Sequence, residues 1–218
     1  MKYVIAFDLD GTLIESKDAI ANAVEQTLKV FKLAPIDQTF VKESIGRPIR
    51  EVFMTVSEDA SLLDKLVSNF RAELAQNGHE FTRIMPGVVE SLDVLKREGY
   101  ILSIASNKPS SLSIIILEQL GLLKFFKFIA GPDLAKEKPS SEMLEKIVVQ
   151  SNCKLVTLVG DTQDDLLCAN NYGVDGIFYN FEKKSPPNSF PANLSFIEID
   201  HFDHLPRAIK TLKGEKNG

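Results

Sequence analysis

Residues 3–13 read YVIAFDLDGTL, and this stretch decides which fold the sequence predicts. Its first five residues form an apolar run, which is typical of a short strand that is buried on both faces. Asp8, Asp10 and Gly11 follow directly, so the run ends in two carboxylates and a turn residue. The stretch therefore predicts a buried strand that presents acidic groups at its carboxyl end.

The remainder of the chain divides into a helical part and an alternating part. Between residues 16 and 84 the apolar positions recur at helical spacing, and no stretch there is a convincing strand. The first of these helices has an apolar face, and Pro35 is expected to end it. From residue 86 onwards helices and strands are predicted to alternate, which favours a parallel sheet with helices on both faces.

The first strand is alone in its half of the chain, so it is assigned to the alternating part. The sequence thus predicts an α/β fold with an insertion. Residues 1–15 and 85–218 are expected to form the sheet domain, and residues 16–84 a smaller, all-helical domain inserted after the first strand.

Polar side chains follow the predicted strands at the points where they end. In an open parallel sheet these ends face a common crevice, which is where ligands bind. Ser106 is also expected to cap the helix that follows it. The candidate site residues at the four strand ends are Asp8, Asp10, Thr12, Ser106, Asn107, Lys138, Asp161 and Asp165.

The number of carboxylates in this crevice limits its chemistry. Four aspartates cannot all stay ionised together without a compensating cation. Mg²⁺ is the expected cofactor, because it prefers carboxylate and water oxygens and also binds phosphate. Lys138 and the groups near Ser106 would complete an anion site. These residues predict a magnesium-dependent site for a phosphorylated ligand.

Composition and charge argue against several classes of function. The 218-residue chain has a net charge of −5 with its basic residues spread along it, so neither nucleic acid nor an anionic membrane is expected as a partner. No apolar run is long enough for a membrane span, and the N-terminal run is too short for a signal peptide. Cys153 and Cys168 lack metal-ligand spacing. Two reduced, structural thiols fit best, and we expect a cytoplasmic protein.

These motifs together resemble the phosphatase branch of the haloacid dehalogenase superfamily, over nearly the whole chain. Residues 7–13, FDLDGTL, resemble the first motif of that family and are highly specific. Residues 106–108 (SNK), 138–139 (KP) and 160–165 (GDTQDD) resemble its second, third and fourth motifs. The resemblance implies a Rossmann-like core with a small helical cap, as in the subgroup that includes phosphoglycolate phosphatase and β-phosphoglucomutase.

The resemblance also implies a role for each matching residue. Asp8 would be the nucleophile that forms an aspartyl-phosphate. Asp10 would protonate the leaving alcohol and then activate the attacking water. Lys138, which is preferred to Lys136 because it directly precedes proline, would offset negative charge. The implied metal ligands are Asp8, Asp10 through its backbone carbonyl, Asp161 and Asp165. The implied phosphate ligands are Thr12, Ser106, Asn107 and Lys138.

The sequence leaves the substrate open. A phosphomonoesterase similar to phosphoglycolate phosphatase and acting on a small phosphorylated metabolite is the main prediction. A sugar-phosphate mutase, a pyrophosphatase and a nucleotidase are alternatives. Asp10 argues against carbon–halogen cleavage, and an intact nucleophile argues against a non-catalytic phosphate-binding or metal-binding protein. Arg47 in the cap is as readily a substrate contact as a solvated side chain. A monomer and a homodimer are both compatible with the sequence.

Overall fold

The computed structural model describes residues 2–45, 48–181 and 194–214. The chain forms two compact units, one made of Met1–Leu13 with Ile84–Gly218 and the other of Ile14–Arg83. Arg47 lies outside the described residues. Among the described helices, none is both long and apolar enough to cross a bilayer.

Strands and α-helices alternate through the larger unit, and α-helices predominate in the smaller one. In chain order the strands are β1 (Tyr3–Phe7), β2 (Ile14–Glu15), β3 (Arg83–Ile84), β4 (Ile101–Ala105), β5 (Phe126–Ala130), β6 (Lys154–Gly160), β7 (Gly176–Tyr179) and β8 (Phe196–Ile199). The α-helices are α1 (Lys17–Val30), α2 (Gln38–Glu43), α3 (Ile49–Phe53), α4 (Ala60–Asn77), α5 (Val88–Arg97), α6 (Ser110–Gln119), α7 (Glu142–Ser151), α8 (Gln163–Tyr172) and α9 (Leu205–Leu212).

The larger unit contains a six-stranded sheet in the order β5-β4-β1-β6-β7-β8, with every neighbouring pair parallel. This confirms the predicted α/β fold class. β1 lies in the middle, and the chain continues to one side through β4 and β5 and to the other through β6, β7 and β8. The order of the strands therefore reverses at β1, and such a switch point opens a crevice at the carboxyl ends of the strands.

The core of the larger unit explains why its strands are apolar runs. Strand residues such as Val4 and Leu158 are fully buried, and helices α7 and α8 supply residues to the same cluster. Strands covered on both faces bury every side chain and so lose the alternating pattern of a half-exposed strand. The central members of this cluster are Val4, Ala6, Ala105, Met143, Leu144, Ile147, Leu155, Leu158 and Cys168.

The smaller unit is built around α1 and α4, which pack on each other. Asp37 caps α2 by accepting a hydrogen bond from the Phe40 N–H at 3.2 Å. Asp59 caps α4 by accepting from the Leu62 N–H at 3.0 Å. These side chains satisfy amides that have no partner within the helix, so each cap fixes where its helix begins.

Three expectations about local structure were wrong. Helix α1 ends at Val30 rather than at Pro35, because Lys32 takes a φ of 55° and the Leu33 N–H bonds back into the last turn. Strand β3 lies within the segment expected to contain only helices, and its two residues are too few to show a periodicity. Ser106 does not cap α6, which begins at Ser110 with Pro109 in the capping position.

Candidate active site

The segments that follow β1, β4, β5 and β6 bring the predicted site residues together within the larger unit. The N–H of Asp8 donates to the carbonyl of Val159 in β6 at 2.8 Å, which extends the pairing of β1 by one residue. The N–H of Ser106 likewise donates to the carbonyl of Ala130 in β5 at 3.1 Å. The backbone positions of Asp8 and Ser106 are therefore set by the sheet itself.

Lys138 forms the centre of a buried ion cluster. Its Nζ donates to Oδ1 of Asp8 and to Oδ1 of Asp165, each at 2.5 Å, and only 4% of its side chain is exposed. Burial raises the pKa of Asp8 from 3.8 to about 6, although Lys138 acts in the opposite direction. Burial alone would lower the pKa of Lys138, but the charges of Asp165 and Asp8 outweigh it and raise that pKa. Lys138 therefore stays a cation.

Asp161 completes a group of three carboxylates. One oxygen from each of Asp8, Asp161 and Asp165 lies within 4.8 Å of the others, a spacing that suits a metal ion. Burial, and next the charge of Asp8, raise the pKa of Asp161 well above its ordinary value. Thr12 donates its hydroxyl proton to Oδ1 of Asp161 at 2.7 Å. The hydroxyl group expected to hold phosphate is thus bonded to a carboxylate in this structure.

Two glycines allow these carboxylates to approach the backbone. Gly11 has a φ of 86°, and a Cβ on it would collide with the carboxylate of Asp161. A Cβ on Gly160 would collide with the carboxylate of Asp165. Glycine at these two positions is therefore a steric requirement of the acidic group, and at Gly11 a conformational one as well.

Asp165 is both a helix-capping residue and a member of the acidic group. Its Oδ2 accepts from the N–H and the hydroxyl of Thr162 at 3.0 and 2.6 Å, and the Thr162 hydroxyl caps α8 in return. Its Oδ1 meanwhile accepts from Lys138. This reciprocal capping box fixes the Asp165 carboxylate in one orientation, and that orientation places Lys138.

Asn107 positions Lys138 through its side chain. Its Oδ1 accepts from the Lys138 N–H at 2.8 Å, and its Nδ2 donates to the Lys138 carbonyl at 3.4 Å. The next two carbonyls of the same loop accept from Asn171 and Cys168 of α8. Lys136 instead is exposed over 78% of its side chain and pairs with Glu142. The amide that we expected to bind phosphate is used to hold the backbone of Lys138.

Asp10 lies in a separate ion pair with Lys108, which sequence reasoning had assigned no role. The Lys108 Nζ donates to Oδ1 of Asp10 at 2.7 Å. Ser106 is buried, and its Oγ accepts from the Lys108 N–H at 3.3 Å. The only sequence signal for Lys108 was its place in the SNK stretch after β4, because nothing in the pattern indicates which aspartate a lysine will contact.

Comparison with known proteins identifies the family of this chain. The family described as haloacid dehalogenase-like hydrolase matches residues 5–179. A phosphoglycolate phosphatase from Vibrio parahaemolyticus is 32% identical over 199 residues, which cover 84% of this chain and 86% of that protein. A second one, from Caulobacter vibrioides, is 30% identical and covers 95% of this chain and 91% of its own length.

A solved structure agrees at the level of the fold. A hydrolase of the haloacid dehalogenase-like family from Streptococcus pneumoniae superposes with a TM-score of 0.76 at 23% identity. The superposition covers 94% of this chain and 98% of the other. At this identity the likeness concerns the fold alone.

Proposed function

The chain belongs to the haloacid dehalogenase-like hydrolases and is a phosphatase of that family, and on that premise we propose that it hydrolyses small phosphate monoesters with the help of Mg²⁺. The proposed mechanism passes through a phosphoryl group carried by Asp8. The preferred substrates are small phosphorylated metabolites of the phosphoglycolate type, because proteins of that name are about 30% identical over most of this chain.

The carboxylate group around Lys138 carries the proposal. Asp8, Asp161 and Asp165 face one ammonium, so two negative charges are left unbalanced when all three aspartates are ionised. A divalent cation would neutralise both charges. Burial, together with the charges of the neighbouring carboxylates, raises the pKa values of Asp8 and Asp161, so their ionised forms call for a compensating charge. Oxygen donors at this spacing suit a hard ion such as Mg²⁺.

The residues fit a two-step transfer. In the first step a carboxylate oxygen of Asp8 bonds to phosphorus, the ester P–O bond breaks, and the alcohol leaves with a proton from Asp10. In the second step water gives a proton to Asp10 while its oxygen bonds to phosphorus, and Asp8 is released together with inorganic phosphate. Lys138 stays protonated in both steps and offsets the charge on Asp8. A bound Mg²⁺ would supply charge neutralisation at the phosphoryl oxygens.

The remaining residues have supporting roles in this proposal. Ser106 and the backbone N–H groups near Thr12 and Asn107 would hold phosphoryl oxygens, while the Asn107 amide keeps Lys138 in place. The helical insertion that the sequence predicts over residues 16–84 would act as a cap that selects the substrate. Arg47 is the residue of that insertion that we propose as a substrate contact.

The test is release of inorganic phosphate from a panel of phosphorylated compounds. The panel contains phosphoglycolate, hexose phosphates, nucleoside monophosphates and pyrophosphate, each assayed with Mg²⁺ and with a chelator. We expect metal-dependent release from a few members, abolished by Asp8→Asn and unchanged by Asp93→Asn, an exposed aspartate of α5.

Three results would overturn parts of the proposal. A folded Asp8→Asn variant that retains activity would remove Asp8 as the nucleophile. Conversion of glucose 1-phosphate to glucose 6-phosphate without phosphate release would replace the hydrolase by a mutase. Full activity in the presence of the chelator would remove the metal.

A further inference from the structure

A second buried lysine–aspartate pair lies outside the Lys138 cluster. Lys108 and Asp10 are joined by a contact of 2.7 Å, and their side chains are only 7% and 16% exposed. Lysine is rarely buried unless it is paired, and ordering its four-carbon stem costs rotamer entropy. The ammonium of Lys108 therefore has a fixed partner, and that partner is Asp10, the residue that we propose as the acid and base.

The backbone of Lys108 is fixed on both sides of the residue. Its N–H is held by the Oγ of Ser106 at 3.3 Å. The next helix is anchored by Asp133, which accepts from the N–H of Ser110 at 2.8 Å and from its hydroxyl. A Cβ on Gly131 would lie 2.6 Å from the Lys108 carbonyl, so the end of β5 comes close enough to confine it. The ammonium of Lys108 is therefore carried by a backbone segment whose position is fixed.

We propose that Lys108 is a positioning residue that holds the carboxylate of Asp10 in the orientation needed for proton transfer. The inference rests on the proposed function, because it presupposes that Asp10 handles the protons of both steps. A carboxylate on a turn can rotate about two side-chain bonds, and the charged donor at Oδ1 restricts this rotation. Proton transfer depends steeply on the placement of the reacting group.

The chemistry of each step remains that of Asp10. Its proton goes to the alcohol when the ester P–O bond breaks, and it receives a proton from water when the second P–O bond forms. Lys108 keeps its own protons throughout, so loss of Lys108 leaves the reaction possible but leaves Asp10 poorly placed. The effect on the rate should then depend on how much each step needs Asp10.

The experiment compares two substrates for Lys108→Met. p-Nitrophenolate leaves phosphorus without protonation, so the first step with p-nitrophenyl phosphate does not need Asp10, whereas hydrolysis of the phosphorylated Asp8 still does. We expect kcat/KM for this substrate to stay within about threefold of wild type. We expect kcat to fall roughly 10- to 100-fold, with a burst of p-nitrophenolate equal to the enzyme concentration. With an alkyl phosphate, both kcat and kcat/KM should fall.

Three controls separate positioning from a merely structural effect. Lys108→Arg keeps the charge, so its kcat should be at least about threefold higher than that of Lys108→Met. Lys210→Met removes a surface ion pair of similar length, 2.8 Å to Glu98, and should leave both constants unchanged. In an Asp10→Asn background, Lys108→Met should change kcat by less than about twofold, because the group that it positions is already gone.

Failure of the inference is distinguishable from failure of the proposed function. If the wild type is active and depends on Asp8, but Lys108→Met lowers kcat and kcat/KM for p-nitrophenyl phosphate by the same factor, Lys108 does not act through Asp10. Full additivity with Asp10→Asn, or a kcat equal to wild type, leads to the same conclusion. If Lys108→Met does not fold, Lys108→Gln takes its place and is judged by the same criteria, with Lys108→Arg still the control that keeps the charge. An inactive wild type would instead refute the proposed function.

Discussion

Replacement of Lys138 by methionine tests the electrostatic account of the site most directly. Methionine keeps the length and the apolar stem of lysine but removes the charge. The ammonium contacts two buried carboxylates at 2.5 Å, so its loss leaves Asp8 and Asp165 facing each other and Asp161 without a cation. Removing one member of a buried ion cluster typically costs about 3–5 kcal/mol of unfolding free energy.

The assay is urea unfolding at pH 8 with a chelator present, followed by far-ultraviolet circular dichroism because the chain has no tryptophan. For a protein of this size the denaturant dependence is about 2–3 kcal/mol per molar urea, so the midpoint should fall by roughly 1–2 M. Lys136→Met is the matched control, because Lys136 is two residues away, exposed and paired with Glu142. The Lys136→Met variant should have the same urea midpoint as the wild type.

The loss should also depend on pH, with a sign that follows from the raised pKa of Asp8. An aspartate with a folded-state pKa of about 6 binds more protons in the folded than in the unfolded protein between about pH 4 and pH 6. Its ionisation therefore costs stability as pH rises through that range, and removal of Lys138 widens the range. The Lys138→Met deficit should be smaller at pH 5 than at pH 8. Equal midpoints for the two lysine variants at pH 8, or an equal deficit at both pH values, would refute the charge argument.

Three further outcomes are expected. Asp10→Asn should lower kcat for an alkyl phosphate by at least about 100-fold, and a rate near wild type in a phosphate-release assay would exclude Asp10 as the acid and base. Gly11→Ala should cost about 1–3 kcal/mol of unfolding free energy and weaken Mg²⁺ binding, because its Cβ would meet the Asp161 carboxylate. Gly99→Ala is the control, since Gly99 has a similar φ of 87° but lies in open space, and this variant should lose stability alone. Equal Mg²⁺ affinities of the two variants in a titration would contradict the prediction. Mg²⁺ at 100 times its Kd should stabilise the protein by about 2.7 kcal/mol at pH 8. The stabilisation should be smaller at pH 5.5, because protons on Asp8 compete with the metal ion. Equal stabilisation at both pH values in a thermal-shift experiment would count against the metal site.

The sequence predicted the fold class because the signal for a parallel sheet is repeated. Several strands of the larger unit, among them β4, β5 and β6, are largely apolar and are followed by a helix, and several such units in succession point to one architecture. The family resemblance is confirmed by the match over residues 5–179. Position within the sheet was not predictable, since β1 is the first strand in the chain but a central strand of the sheet. Strand order depends on which edges pair, and the apolar pattern of a strand carries no information about its neighbour.

Element ends were predicted less well than the elements themselves. The end of α1 was assigned to Pro35, a residue that cannot continue a helix, but the helix had already ended where Lys32 takes a positive φ. Lysine at such a position has no signature comparable to that of glycine. Ser106 has the residue type of a cap, yet its hydroxyl accepts from Lys108 inside the strand-end loop. In each case a local residue preference gave way to a hydrogen bond set by the loop.

The candidate site shows the same limit at the level of side chains. The strand ends predicted that the acidic and basic residues lie in one crevice, but the sequence did not indicate which lysine pairs with which aspartate. In the structure, Lys138 contacts Asp8 and Asp165, and Lys108 contacts Asp10. Lysine reaches several ångströms from its Cα, so the partner is decided by where the backbone is anchored.

The anchors of the two lysines are themselves different, and this gives the division a physical basis. Asn107 holds the backbone of Lys138, whereas Ser106 holds that of Lys108, although the two anchors are neighbours in the chain. The loop after β4 therefore sets the placement of both ammonium groups. One cation lies with the proposed nucleophile and the other with the proposed acid and base. A change of conformation in this single loop would disturb both steps of the reaction, and variants of Asn107 and Lys108 should then differ in which step they slow.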